Sequence, residues 1–579
     1  MCHVSSFIRR SAQSTVVVFA CFAVLAACTD GGGGGKETGK NAEEKLPVVA
    51  SYVIDGGTDT AQDVRVAIHG VRRIKDATVL DWSVTPLAGG SLKPSDPVGQ
   101  KIDIDVEPGL DNSQAVNLID ASAHKVYRPL DNEDRKNAGI PLAGCLCVPW
   151  FMVENDLTIG KTRLLQAAFP DLPPSLKSIA VSIRSQPLVT DVPIAAEGKV
   201  STGDSEDLAA PAKELPTASE PRSFSYPMAD ELDDPAQKMT LVINEVLASR
   251  EATSLVFTVN AEEDGEGLDA WQGRPVDDPD VVPFGTQLWD LSTAGPGLRP
   301  SGASDGKVTR AWFAEVSQKT DIPPGVAKDF TWRECLCSTT QLYAEPLKKA
   351  GGSHTFSMSL PALPAGTDSV DVVFPRKTLP PITDVKVTNV KAVKDSGTMS
   401  AKVGTWKYGT VADSTLPKGW SVKEWPTPVP SSEDISGSDT AVDTLEDVFS
   451  DDVSVERKGS KKVEVTLDST VSFEPDSACL TSAAKSTIKR ISGDINKSAT
   501  SGSTLTIEGH VAGTDKGSVT VQKKLSTDRA NAVAAALKSV VTVKVKFSAV
   551  GKGATEPVAP NDSEAHRKFN RRVVVAYER

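Results

Sequence analysis

The chain has 579 residues, with 76 acidic against 63 basic side chains and a net charge of −13 at pH 7. That length is too great for one hydrophobic core and predicts roughly three or four domains of about 150 residues each. The acidic bulk argues against a nucleic-acid partner, but the charge is uneven: from Val463 onward the chain carries about +5 and the remainder about −18.

The first elements are those of export. "MCHVSSFIRRSAQ" is a basic leader, and "STVVVFACFAVLAA" is an apolar run too short for a comfortable membrane span, with small residues ahead of Cys28. The pattern predicts a signal peptide over residues 1–27. "LAAC", Leu25 to Cys28, resembles the lipobox of bacterial lipoproteins, which implies that Cys28 becomes the lipidated first residue of the mature chain. An ordinary cleaved signal is the alternative. Two or more acyl chains anchor stably where one is marginal, so the resemblance implies a membrane partner through the lipid anchor and a location in the cell envelope. Residues 28–46, glycine-rich and then charged, read as a flexible tether spanning on the order of 20–25 Å.

Between residues 47–200 and 225–390 the chain repeats itself. "VRVAIHGVRRIKDATVLDWSVT" at 64–85 answers "MTLVINEVLASREATSLVFTVN" at 239–260. "AGCLCVPWF" at 143–151 answers "RECLCSTTQ" at 333–341, and "FPDLPPSLKSIAVSIRSQPLVTDVPI" from 169 answers "LPALPAGTDSVDVVFPRKTLPPITDVKV" from 360. The offset drifts between about 175 and about 193 residues, as happens when loops vary while strands persist. Each copy alternates β-branched runs with Pro, Gly and Asp clusters and lacks a long helical period, which predicts two β-sandwich units of immunoglobulin-like type, enlarged by an inserted loop.

Once Cys2 and Cys21 leave with the leader and Cys28 carries lipid, five of the eight cysteines remain. Cys145, Cys147, Cys335 and Cys337 form two "CLC" triplets, one per copy, and Cys479 is left over. In an oxidising compartment the four are disulfide candidates, closing a ring within each triplet or pairing across the copies. A four-thiolate zinc site and a labile redox pair are the other readings.

Residues 391–460 are less legible. The stretch holding Trp406, Trp420 and Trp425 has no assigned element, and "ISGSDTAVDTLEDVFSDDVSVERKGS", 435–460, reads as an acidic linker.

From 461 to 579 strands alternate with helices. "VEVTL" is a strand, "DSACLTSAAKSTIKRISGDI" a helix with Leu480, Ala484, Ile488 and Ile491 on one face, and "STLTIEGH" a second strand. "KKLSTDRANAVAAALKSV" is a second helix, followed by the strands "VTVKVKFSAV" and "RRVVVAYE". The order βαβαββ predicts an α+β domain with helices on one side of a sheet. In the second helix Leu525, Arg529, Val533 and Leu537 share one stripe, which sets a guanidinium on the face that should meet the core. Burying a charge is costly unless it is paired, so Arg529 needs either an internal acid, Asp528 or Glu508, or an anionic ligand.

Five motifs in order, "FEPDSACL", "IEGH", "LSTDRANAV", "VGKGATEPVAPN" and "NRRVVV", resemble the OmpA-like C-terminal domain, whose family includes the peptidoglycan-associated lipoproteins. The resemblance covers about 115 residues, a fifth of the chain. It implies peptidoglycan as partner, with the diaminopimelate of the stem peptide gripped by Arg529 and by an aspartate after "GH". Here the usual place of that aspartate holds Ala512, and Asp515 is the nearest substitute. Gln522 stands where many members have asparagine, and position in the motif puts Asn570 and Arg571 in the ligand groove. Arg572 is left as a structural or surface charge, and His510 as a packed residue at a strand end.

The reading is therefore of a multidomain, non-enzymatic envelope lipoprotein, two β-sandwich repeats followed by an OmpA-like domain, linking membrane to wall. No paired carboxylates, activated nucleophile or histidine cluster appears at recognisable spacing, and nothing calls for a cofactor or a metal. A redox or chaperone role for the CLC pairs, an adhesion role for the repeats, and further envelope proteins as partners remain as alternatives.

Overall fold

The structure is a computed structural model. It describes residues 42–54, 64–86, 116–130, 146, 161–183, 187–195, 204–206, 218–226, 237–265, 296–303, 307–315, 333–337, 345–374, 380–389, 398–403, 442–450, 454–474, 477–513, 518–558, 561, 567 and 570–579. The leader, Cys28, Cys145, Cys147, Asp515 and the tryptophan-bearing stretch lie outside the described residues. Among those described, no helix is long and apolar enough to cross a membrane.

Two stretches of chain fold alike. The first forms β1 (Ala50–Ile54), β2 (Val64–Ile74), β3 (Ala77–Pro86), β4 (Val116–Asp120), β5 (Lys125–Tyr127), β6 (Lys161–Pro170), β7 (Ser178–Ile183) and β8 (Val189–Ala195). One sheet runs β1–β2–β3–β6 and the other β5–β4–β7–β8, all antiparallel. A short parallel pairing of Val71 and Arg72 with Ile194 and Ala195 joins them.

The second forms β9 (Arg222–Tyr226), β10 (Gln237–Ala248), β11 (Ala252–Ala261), β12 (Gly297–Pro300), β13 (Val308–Thr309), β14 (Phe313–Glu315), β15 (Arg333–Cys335), β16 (Ser353–Pro361), β17 (Ser369–Val373) and β18 (Ile382–Lys386). Its sheets, β9–β10–β11–β16 and β13–β12–β17–β18, repeat the same order.

The likeness extends to single residues. A bulge interrupts β2 at His69 and β10 at Asn244, and in each case the bulged side chain meets a hydroxyl 14 residues on: His69 Nε2 is 2.8 Å from Ser83 Oγ, and Asn244 Oδ1 accepts from Thr258 Oγ1 at 2.8 Å. In β10 the bulge resets the alternation, so that Met239, Leu241 and Ile243 and then Val246 and Ala248 face inward. Asp191 and Asp384 both adopt left-handed backbone, at φ 58° and 57°, in the matching "TDV" segments of β8 and β18.

The central leucines of the CLC triplets also match. Leu130, Leu146 and Ala168 close a cycle of three backbone hydrogen bonds, each 2.8 Å, and Trp312, Leu336 and Ser359 close the same cycle at 2.8 to 2.9 Å. In the second copy the sulfurs of Cys335 and Cys337 lie against each other, with Cα atoms 5.2 Å apart. Each copy has its own core: Ile68, Trp82, Phe169, Val181 and Val192 belong to the first, and Leu241, Phe257, Leu298, Phe356 and Val370 to the second.

The acidic stretch read as a linker is not one. It folds into β19 (Val442–Ser450) and β20 (Ser454–Lys458), a hairpin whose β19 side chains alternate between buried and half-buried. Composition misled because Asp443, Glu446 and Glu456 are buried, and Asp443 and Glu456 are matched with Arg128 and Lys307 from other parts of the fold.

The C-terminal part comprises β21 (Lys462–Asp468), α1 (Ser469–Ser472), α2 (Ser482–Ser498), β22 (Thr504–His510), α3 (Val519–Lys538), β23 (Lys546–Gly553) and β24 (Arg572–Glu578). The sheet order is β23–β22–β24–β21, with only β22 and β23 parallel, and it continues through β20 into β19. Thr481 and Ser518 cap α2 and α3 by accepting from Ala484 N and Val521 N. Ile488, Ile491 and Ile495 of α2 and Ala530, Val533 and Leu537 of α3 pack on Val465, Ile507 and Val575 of the sheet.

Candidate functional site

Helix α3 lies unusually close to the sheet because glycines stand beneath it. A Cβ at Gly509 would sit 2.0 Å from Ser526 O, and one at Gly551 would sit 2.3 Å from Thr527 Oγ1. Ser526 Oγ uses that closeness, accepting from Gly553 N at 2.9 Å and donating to Lys523 O at 2.8 Å. The glycines of "IEGH" and "VGKG" and the serine of "LST" are thus one packing device. It carries Arg529, one turn further along α3, to the end of the sheet.

Arg529 is 6 % exposed. Its Nε donates to Ser477 O at 3.0 Å, and its guanidinium carbon lies 5.1 Å from the centroid of the Phe473 ring. The segment that meets it is built for this: Phe473 bridges to Leu480, Glu474 N donates to Cys479 O at 3.0 Å, and Cys479 N donates to Ser477 Oγ at 2.8 Å. Of the two acids weighed as internal partners, Asp528 faces Lys524 at 2.5 Å and Glu508 faces Lys552 at 3.4 Å.

The loop after β22 is tied down from the opposite side. Gly513 N donates to Asn561 Oδ1 at 3.0 Å, and the same oxygen accepts from Asn570 Nδ2 at 3.0 Å. Asn570 Oδ1 accepts in turn from Val558 N at 2.7 Å. Asn570 is 1 % exposed, so its amide holds loops together under the surface instead of lining an open groove. Arg571 is half-buried, its carbonyl accepting from Ser469 N at 2.9 Å at the start of α1. Gln522 is half-buried on the first turns of α3, and Ala512 is buried.

Residues 472–571 match the sequence profile of the OmpA family. This segment is an OmpA-family domain. Among solved structures, the chain is similar to the cell wall anchor of the T6SS from Pseudomonas aeruginosa at 26% identity, covering 22% of this chain and 87% of that one, TM-score 0.20. It is similar to the periplasmic domain of Helicobacter pylori MotB at 24% identity, covering 22% and 81%, TM-score 0.19. Likewise it resembles the peptidoglycan-associated lipoprotein from Burkholderia pseudomallei at 24% identity, covering 18% and 87%, TM-score 0.16. No curated protein matches the chain.

On the far face of the OmpA-family domain sheet, ligand atoms of Glu508, His510 and Glu556 lie within 4.8 Å of one another. The place of a cation there is already taken, because Lys552 Nζ stands 3.4 Å from Glu508 and 2.8 Å from Glu556. Arg572, 9 % exposed, is a structural charge beside them and donates to Glu556 O at 3.2 Å. Burial pushes its pKa down to about 10, so it stays protonated at neutral pH.

His510 is 2 % exposed, and burial, with Arg572 and Lys552 nearby, pushes its pKa down to about 3. It is neutral at working pH and packed at the strand end. In the unfolded chain a histidine titrates near pH ~6.5, so below that pH the unfolded state binds the proton that the folded state refuses. Stability is expected to fall as pH drops from about 6.5 towards about 3, by up to ~1.4 kcal/mol per pH unit from this one residue. Urea midpoints between pH 7 and pH 4 should fall more steeply for the native chain than for His510→Gln.

Three residues of the site were not singled out from sequence: Asn561, Phe473 and Ser477. Each stands in a quoted motif, yet its role depends on which loops meet. Asn561→Ala removes the acceptor shared by Gly513 and Asn570. Two neutral hydrogen bonds of about 1 kcal/mol each predict a stability loss of about 2 kcal/mol, seen as a lower urea midpoint, and faster amide exchange at Gly513.

Proposed function

We propose that this is a non-enzymatic cell-envelope protein that binds peptidoglycan non-covalently through its OmpA-family domain, and that Cys28 carries the lipid linking it to a membrane. The observation that carries the reading is Arg529. A guanidinium on the helix face that packs against the core is held in a fixed pose by Ser477 and Phe473, within the segment that matches the family. Such a planar, pre-oriented group suits a carboxylate, which it grips through parallel charge-assisted hydrogen bonds.

The ligand we assign is the diaminopimelate of the stem peptide, a zwitterion. Arg529 takes its carboxylate and Asp515 takes its ammonium. Gln522 and Arg571 flank the groove, and Asn570 supports it from beneath.

The two β-repeats serve as spacer and interaction surface, and we read them as enlarged immunoglobulin-like units. We assign the CLC triplets a structural role over a redox one, because the central leucine of each is the residue locked into the backbone cycle. Titration of diaminopimelate into the mature protein should release heat that saturates at one site. No heat, under conditions where an established binder responds, removes the assignment.

A further inference from the structure

We propose that strand β19 is a shared spine that makes both repeats and the OmpA-family domain move as one rigid arm. Its first half pairs with both repeats at once: Val442, Asp443 and Thr444 lie opposite Tyr127, Val126 and Lys125 of β5, while Thr444, Leu445 and Glu446 lie opposite Glu315, Ala314 and Phe313 of β14. Its second half pairs with β13 at Phe449 and Ser450 and with β20 on the other side. From β20 the ladder runs without a break through β21 to β24, β22 and β23. One strand is therefore hydrogen-bonded into all three bodies, and direct contacts such as Leu188 N donating to Ser254 Oγ at 3.0 Å add to it.

The side chains follow the same division. Leu445 is fully buried in a cluster with Ile119, Val126 and Leu188 of the first repeat and with Trp312 and Ala314 of the second. Asp443 pairs with Arg128 of the first repeat, and both side chains are almost completely buried. Asp447 accepts from Trp312 Nε1 of the second repeat at 2.8 Å and lies 3.2 Å from His124 Nε2 of the first. Glu456, 2 % exposed, lies 3.3 Å from Lys307 of the second repeat and 3.7 Å from Arg490 of helix α2.

These acids explain why the segment looks like a solvated linker. Each negative charge is matched by a donor from a different body, so the charges specify docking instead of solvation. A flexible linker would let the domain swivel on the repeats; a shared strand with a buried leucine at its centre does not. A load or rotation applied at the repeats thus reaches the domain through continuous backbone hydrogen bonds.

Hydrogen exchange on the full mature protein tests this. Amides of 442–450 should be protected as long as those of β21 and β22; exchange at the rate of an unstructured chain overturns the proposal. A second measurement uses Leu445→Asp, which places a charge in the shared cluster. The native protein should melt in one transition, and the variant in at least two, with the domain still folded. Sacculus binding by the variant should be unchanged, so loss of coupling is read separately from any failure of the ligand assignment. A variant melting in the same single transition as the native protein overturns the proposal as well.

Discussion

Arg529→Ala should abolish retention of the protein on isolated sacculi while leaving it folded. Arg529 is the guanidinium assigned to the ligand carboxylate, and charge-assisted pairs contribute about 1.5–3 kcal/mol, so removal should weaken binding roughly 10- to 150-fold. Arg529→Lys should recover only part of this, because an ammonium presents a point charge where two parallel bonds are needed. The variant also loses the Nε bond to Ser477 O and the stacking on Phe473, a modest loss that a melting curve reports independently of binding. Equal retention of a folded alanine variant and the native protein would show that the ligand lies elsewhere. In that event Arg529 is a structural arginine, and the peptidoglycan site must be sought on another surface of the domain.

The largest stability effect is expected at Gly509. A methyl group there would meet Ser526 O at 2.0 Å and Ser526 C at 2.9 Å, and both are helix backbone that no rotamer change can move. Helix α3 must lift from the sheet, which strains the bonds of Ser526 and displaces Arg529 together. Overpacking of a well-filled site costs about 1–3 kcal/mol, and a backbone clash belongs at or beyond the upper end of that range. Gly493, on helix α2, is the control: nothing lies within 4 Å of its would-be Cβ. Gly493→Ala should therefore stabilise by roughly 0.5–1 kcal/mol through helix propensity. Urea midpoints of the two variants should move in opposite directions, and a Gly509→Ala midpoint equal to the native one would contradict the close approach described here.

Local pattern was enough for much of this. The period of four from Leu525 to Leu537 located α3 and marked Arg529 as a charge on the buried face, because helix geometry depends only on neighbours in sequence. The duplication was also legible. Residues that set strand phase, such as His69 and Asn244 or Asp191 and Asp384, recur in the same order while the loops between them change the offset.

The roles of the other polar residues were not legible, since a polar side chain is specified by what it meets. Position in a motif set Asn570 in the groove, yet its amide is buried and spent on Val558 and Asn561. Asn561 became a site residue only when Gly513 was brought to it across 48 residues.

By itself the sequence determined the repeat, the βαβαββ order of the last domain and the arginine on its buried face, all of which follow from short-range periodicity. Only the tertiary structure decided that an acidic run of linker-like composition is a central strand. Arg128 meets Asp443 across 315 residues, and Lys307 meets Glu456 across 149. A carboxylate is stable in an interior when a cation is folded against it, and pairings at that separation leave no trace in local composition.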